Sequence, residues 1–198
     1  MKKIIFVTLI CLTACSTLKT SDEYIARGNG YLKDGNRKAA IDCFNKAVML
    51  NPSNLDVYEA RGAAYYYDGK YQLAAQDFEK VLDANPYRIP VYTAYASVLA
   101  SVQNFNGALK VLNLVDRLGQ ATPETYFARA GVYYMLGKYD LAVADYTRVL
   151  ETRVSADVLQ ARGNAYAQWG KADLAKADFE KAQTPNMPQH LNAYSALR

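Results

Sequence analysis

The chain is short of the side chains on which most catalytic and metal chemistry depends. Its 198 residues include a single histidine, His190, and three cysteines. No cysteine or acidic cluster stands near His190 at metal-ligand spacing. No glycine-rich loop follows a strand, since no strand pattern is evident. One histidine near a terminus is a weak basis for a Ser/His/Asp arrangement. The sequence therefore assigns no catalytic residue, no metal, no cofactor and no small-molecule substrate, and the expectation is a non-enzyme. A formal net charge of +4 comes without a basic block long enough to grip a phosphate backbone, so nucleic acid is not an expected partner. Between Ile89 and Leu109 there is no charged residue, but Pro90, Gln103, Asn104 and Asn106 argue against a membrane span there.

The first fifteen residues read as an address. Met1-Lys2-Lys3 is a positive start, and Ile4 to Leu12 is an apolar run too short for a mature spanning helix. It ends in Leu12-Thr13-Ala14-Cys15, small residues before a cleavage point. That ending resembles the lipobox of bacterial lipoproteins, in which residues 1–14 are cleaved and Cys15 becomes the lipid-bearing N-terminus. The other reading is an ordinary secretory signal with an incidental cysteine. With Lys2 and Lys3 removed, the 23 basic residues fall to 21 against 19 acidic ones, an unremarkable balance. Cys43 is then the one free thiol, without an intramolecular partner for a disulfide. Residues 15–20 form a tether whose five residues after the cysteine reach roughly 20 Å at most. Ser16 after the cysteine resembles the sorting signal of lipoproteins held in the outer membrane, facing the periplasm.

What the rest of the chain has is a period. Tyr58 to Pro86 reads as two amphipathic helices meeting at Asp68-Gly69-Lys70, where glycine supplies the freedom of a tight turn. A shift of 68 residues returns the pattern: Gly69 falls on Gly137, Tyr71 on Tyr139, Ala74 on Ala142 and Phe78 on Tyr146. Half that shift, 34 residues, is a helix–turn–helix period and predicts a stacked all-α array. Units are expected at 21–54, 55–88, 89–122, 123–155 and 156–189, with a short terminal cap over 190–198. Small residues recur at the eighth position (Gly28, Gly62, Ala96, Gly163), where each would face a partner helix, and bulky ones recur on the second helix (Phe44, Phe78, Leu112, Phe179). These residues resemble the tetratricopeptide repeat (TPR). The resemblance implies a right-handed superhelix whose concave groove, lined by the first helix of each pair, holds an extended peptide or a partner helix.

Carried over by position, the partner-binding groove comprises Asn29, Leu32 and Lys33; Glu59, Tyr66 and Tyr67; Thr93, Ser97 and Ser101; Phe127, Tyr134 and Met135; and Gln160, Asn164 and Gln168. With Lys33 its only cation, this set does not match the carboxylate clamp of chaperone-binding members. Large side chains in units two and four flank small ones in unit three, which predicts a central notch with a hydroxyl-bearing floor. The same rings would alternatively be packing between adjacent helices. A second pattern sets Arg61, Arg129 and Arg162 sixteen residues before Asp77, Asp145 and Asp178, a spacing that opposes them across a helix hairpin as structural ion pairs. The functional expectation is a membrane-tethered adaptor for protein partners in envelope assembly, resembling the repeat lipoproteins of type IV and tight-adherence pilus systems. Recruitment of peptidoglycan hydrolases or proteases, or glycan binding by the tyrosines, are the alternatives.

Overall fold

The computed structural model describes residues 20–184 and 188; the signal, Cys15 and the expected cap at 190–198 lie outside them. Among the described residues, ten α-helices form five successive pairs: α1 (Ser21–Lys33) with α2 (Arg37–Leu50), α3 (Leu55–Tyr67) with α4 (Tyr71–Ala84), α5 (Ile89–Ser101) with α6 (Phe105–Arg117), α7 (Pro123–Met135) with α8 (Tyr139–Thr152), and α9 (Ala156–Gln168) with α10 (Ala172–Ala182). The described residues contain no strand.

Local chemistry starts and stops these helices. Thr20 and Glu23 close a reciprocal capping box on α1, and Thr122 with Pro123 at the first helical position opens α7. At the turn inside the second pair, the Gly69 N–H donates to the Tyr66 carbonyl at 3.0 Å and the Lys70 N–H to the Tyr65 carbonyl at 2.8 Å. This double bond pattern satisfies the orphan carbonyls of α3 and demands a left-handed residue. Gly69 provides it at φ 74°, as do Gly35, Gly137 and Gly170 in their pairs. In the third pair the place falls to Gln103, at φ 60°. A side chain there carries steric strain that glycine does not. Gln103→Gly is therefore expected to raise unfolding free energy by about 1 kcal/mol, after the added freedom of the unfolded chain is offset. Equilibrium urea denaturation measures it; an unchanged midpoint would mean the turn is relaxed.

The core is built where small residues let rings in. Phe44 and Phe78 are almost completely buried, and a Cβ built on Gly28 or Gly62 would lie only 2.5 or 2.9 Å from those rings. Gly163 faces Phe179 in the same way at 2.6 Å. Burying each ring contributes roughly 2–3 kcal/mol, provided nothing larger holds the helices apart. One apolar cluster runs from α2 through α5 and another from α7 to α9; between them lies a small one around Ala96, Ala108, Leu112 and Val132. That thin stretch of core underlies the groove's central feature.

Candidate functional site: a stapled groove with an apolar notch

Each paired arginine joins three helices. The Arg129 guanidinium donates to both carboxylate oxygens of Asp145, at 2.7 and 2.9 Å. Its remaining nitrogen reaches the preceding pair, donating to Asn113 at 2.9 Å and Asp116 at 2.6 Å. Arg61 does the same with Asp77 (2.8 and 2.7 Å) and Asn45 (2.9 Å), and Arg162 with Asp178 (2.7 and 2.8 Å) and Thr147 (3.0 Å). The planar fork suits this three-way geometry, which an ammonium group would not reproduce. Asp145 raises the affinity of Arg129 for its proton, while hydrogen bonding from Arg129 holds the Asp116 carboxyl below the usual carboxylate range.

The third pair departs from this scheme. Tyr95 stands in the arginine's place and Val111 in the aspartate's, yet the Tyr95 hydroxyl donates back to Glu79 on α4. The link to the preceding pair survives and the link within the pair is lost. In the first pair Arg27 meets Cys43 instead of aspartate at that register and donates to Tyr31 at 3.3 Å on the surface. The backward acceptors Asn45, Glu79, Asn113 and Thr147 escape sequence inspection because they share a position but not a residue type.

Above the thin core the groove opens into a cavity of about 410 Å³. Tyr66 forms one wall and Phe127, Tyr134 and Met135 the other; Ser97, Ala100 and Ser101 lie between, with Phe105 and Leu112 among the deeper lining. The cause is a single register position. Tyr66 and Tyr134 each lean on a tyrosine of their own pair, Tyr71 and Tyr139, with ring centroids 5.7 and 5.6 Å apart. The equivalent residue on α5 is Ala100, so the ring is missing and Phe105 is uncovered. No charged side chain lines the cavity.

Several expected groove residues take other roles. Thr93 is buried, with its hydroxyl 3.4 Å from that of Thr125 in the α5–α7 contact, so it does not face a ligand. Glu59 accepts from Arg88 at 2.9 Å, which neutralises it. Tyr67 is 44% exposed and packs edge-on against Tyr66, outside the notch. The Ser97 and Ser101 hydroxyls donate to the Thr93 and Ser97 carbonyls of their own helix at 3.0 and 2.9 Å. The floor thus carries the Ser97 and Ser101 hydroxyls with their protons already spent on their own helix, so it offers acceptors but no free donor. Asn29, Lys33, Gln160, Asn164 and Gln168 are exposed, and Leu32 is half-buried. Phe127 is also half-buried, edge-on to Tyr146, whose phenol burial pushes up to about 12. Among the described residues no three metal-ligating side chains converge.

Residues 28–69 match the family described as TPR repeat, and residues 55–88, 123–153 and 156–184 match tetratricopeptide repeat. Together these segments take in more than half of the chain. The chain belongs to the tetratricopeptide-repeat family. Solved structures of similar form include a thermophilic TPR protein of Thermus thermophilus, at 20% identity and TM-score 0.72 over 84% of this chain and 93% of that one. MamA of Desulfovibrio magneticus is 18% identical, with TM-score 0.72 over 82% and 92%. A tetratricopeptide repeat protein of Parabacteroides merdae is 23% identical, with TM-score 0.73 over 92% of this chain and 71% of that one. At such identities the likeness is one of fold alone. No curated protein matches the chain. TPR proteins generally act as scaffolds for protein–protein interaction and are typically non-enzymatic, so the TPR groove is where function is to be sought.

Proposed function

We propose that this TPR protein is a lipid-anchored envelope adaptor, seated in the outer membrane and facing the periplasm. It holds a protein partner in its concave groove during surface-structure assembly such as type IV or tight-adherence pilus biogenesis. The observation that carries the binding role is the notch: concave, uncharged, aromatic-walled and central in the groove. Central desolvated pockets flanked by tyrosines are where binding energy concentrates in interfaces. With its hydroxyls engaged and its depth apolar, the notch suits an inserted aromatic or branched aliphatic side chain of the partner. The tether rests on the N-terminal sequence: a positive start, a short apolar run and Cys15 after small residues.

Two experiments test the two halves separately. Tyr66→Ala with Tyr134→Ala removes both facing rings of the notch. Partner capture from detergent-solubilised envelopes is expected to fall tenfold or more, about 1.4 kcal/mol, while circular dichroism stays unchanged. Undiminished capture would place binding elsewhere. Cys15→Ala is expected to leave the precursor uncleaved and without lipid by mass spectrometry. Stable anchoring takes two acyl chains or more, so normal processing and retention in that variant would refute the tether.

A further inference from the structure

We propose that the edge formed by the first two loops between helix pairs is a membrane-contact surface, resting on the phospholipid interface beneath the N-terminal anchor. This inference rests on the lipid tether proposed above. The two loops are Asn51–Asn54, between α2 and α3, and Asn85–Arg88, between α4 and α5. Their neighbourhood holds the most exposed large apolar side chains among the described residues: Met49 is 80% exposed and Tyr87 88%, with Leu50 beside them at 53%.

Neither stretch carries an unneutralised charge at its tip. From Ala47 to Leu55 and from Ala84 to Tyr87 no residue is charged. The next residue, Arg88, is held by Asp56 at 2.7 Å and Glu59 at 2.9 Å. Corresponding positions in other pairs differ: opposite Met49 in register stand Asp83, Arg117 and Glu151, and opposite Tyr87 stand Ser53, Ala121 and Ser155. Met49 and Tyr87 are thus particular to these two loops and not a requirement of the turn, whereas Leu50 has an equally exposed counterpart in Leu118, at 54%, after α6. The carboxamide oxygens of the loops' asparagines are occupied internally. The Asn51 carboxamide oxygen accepts from the Ser53 hydroxyl at 2.8 Å, Asn54 accepts from the Asp56 N–H at 3.0 Å and Asn85 from the Tyr87 N–H at 3.1 Å. Resting at the headgroup level therefore leaves these oxygens satisfied, while the carboxamide NH2 groups and the Tyr87 hydroxyl keep water and headgroup oxygens as partners.

Position supplies the occupant. Paired helices run antiparallel, so the end of α2 lies at the edge where α1 begins. The Ser21 hydroxyl donates to the Ala47 carbonyl at 3.1 Å, fastening the start of α1 to the last turn of α2, two residues from Met49. Only Ser16 to Thr20 separate that point from Cys15, a reach of roughly 20 Å at full extension. A chain anchored there holds Met49, Leu50 and Tyr87 within reach of the bilayer. Tyrosine favours the headgroup level, and aliphatic side chains the boundary beneath it. Lys80, which donates to the Tyr58 hydroxyl that in turn bonds the Pro52 carbonyl, is outnumbered by Asp22, Glu23 and Asp83, so there is no cationic excess for anionic lipid and contact is driven by apolar burial, insensitive to salt.

The test uses the full lipidated chain, its Cys15 acylation checked by mass, in phosphatidylethanolamine vesicles with and without brominated acyl chains. The reporter is Y87W in a W169F background; the control is the unsubstituted chain, whose Trp169 lies in the α9–α10 turn at the opposite edge. Contact predicts a blue-shifted emission for Y87W that brominated lipid quenches and 0.5 M salt does not restore, reduced when Met49→Asp is added. Trp169 stays unquenched. An acylated chain whose Y87W emission is no more quenched than Trp169 overturns the membrane contact and leaves the tether standing. A blue shift that grows with protein concentration without quenching assigns the edge to a second copy and also overturns it. Absence of lipid on Cys15 overturns tether and contact together.

Discussion

Arg129→Ala is expected to cost roughly 3–5 kcal/mol of unfolding free energy, the most of the three stapling arginines. The side chain is 8% exposed and that of Asp145 5%, so truncation strips a buried carboxylate of two hydrogen bonds and removes two more, to Asn113 and Asp116. It also severs the staple that joins α7 to both α8 and α6. Arg61→Ala and Arg162→Ala should cost less, since those side chains are 16% and 18% exposed and water reaches the vacated site. Arg27→Ala should be near neutral, because Tyr31 meets it on the surface. Replacing Arg129 and Asp145 together by methionine and leucine should recover most of the loss, since no buried charge then remains unpaired. The sign with pH follows from Asp116. Its folded-state affinity for protons is depressed by Arg129, so its contribution is present above the ordinary carboxylate range, about 3.9, and is lost as pH falls through the folded value. Arg129→Ala should weaken that acid-side decline, leaving the smaller part due to Tyr126 and Arg148. Urea midpoints at pH 7 and at acid pH measure both effects; a loss below about 1 kcal/mol would mean the staple is replaceable.

Phe78→Ala is expected to cost roughly 3–5 kcal/mol, the usual range for an aromatic truncated in a packed core. Phe78 is 1% exposed and lies against Gly62, with Val81, Ala74 and Val57 in the same cluster. Gly62→Ala attacks the same contact from the other side. Its Cβ would stand 2.9 Å from the ring, so ring or helix must shift, and overpacking of this kind costs about 1–3 kcal/mol. Combining Gly62→Ala with Phe78→Leu should cost less than the sum of the single changes, because the smaller side chain vacates the space the methyl group needs. Additive losses would mean the helices part as a whole and the ring and glycine are not a specific pair.

The same contact explains how much of the fold was legible beforehand. Small residues facing large ones at a 34-residue period, punctuated by glycine where φ must be positive, are local requirements and leave local traces. The arginine and aspartate sixteen residues apart are also visible, because both ends keep their chemistry in the second, fourth and fifth pairs. The notch was legible only in outline. Ala100 between Tyr66 and Tyr134 marks the gap, but what fills its depth depends on Phe105 and Leu112 arriving from α6. Thr93, Ser97 and Ser101 look like a polar floor in sequence because hydrogen bonds to their own helix or to Thr125 leave no mark there. Tyr66 and Tyr67 are neighbours of one type, and only helix rotation sends the first into the notch and the second to the rim.

The most direct test of partner binding in the groove is photo-crosslinking in living cells. Benzoylphenylalanine would replace Ser101 or Met135 at the notch, or the exposed Lys110 on α6 as a control. A notch that seats a partner predicts one discrete adduct from the first two sites, none from the third, and loss of the adduct when Tyr134→Ala is added. Equal adducts from Lys110, or an adduct indifferent to Tyr134, would contradict it.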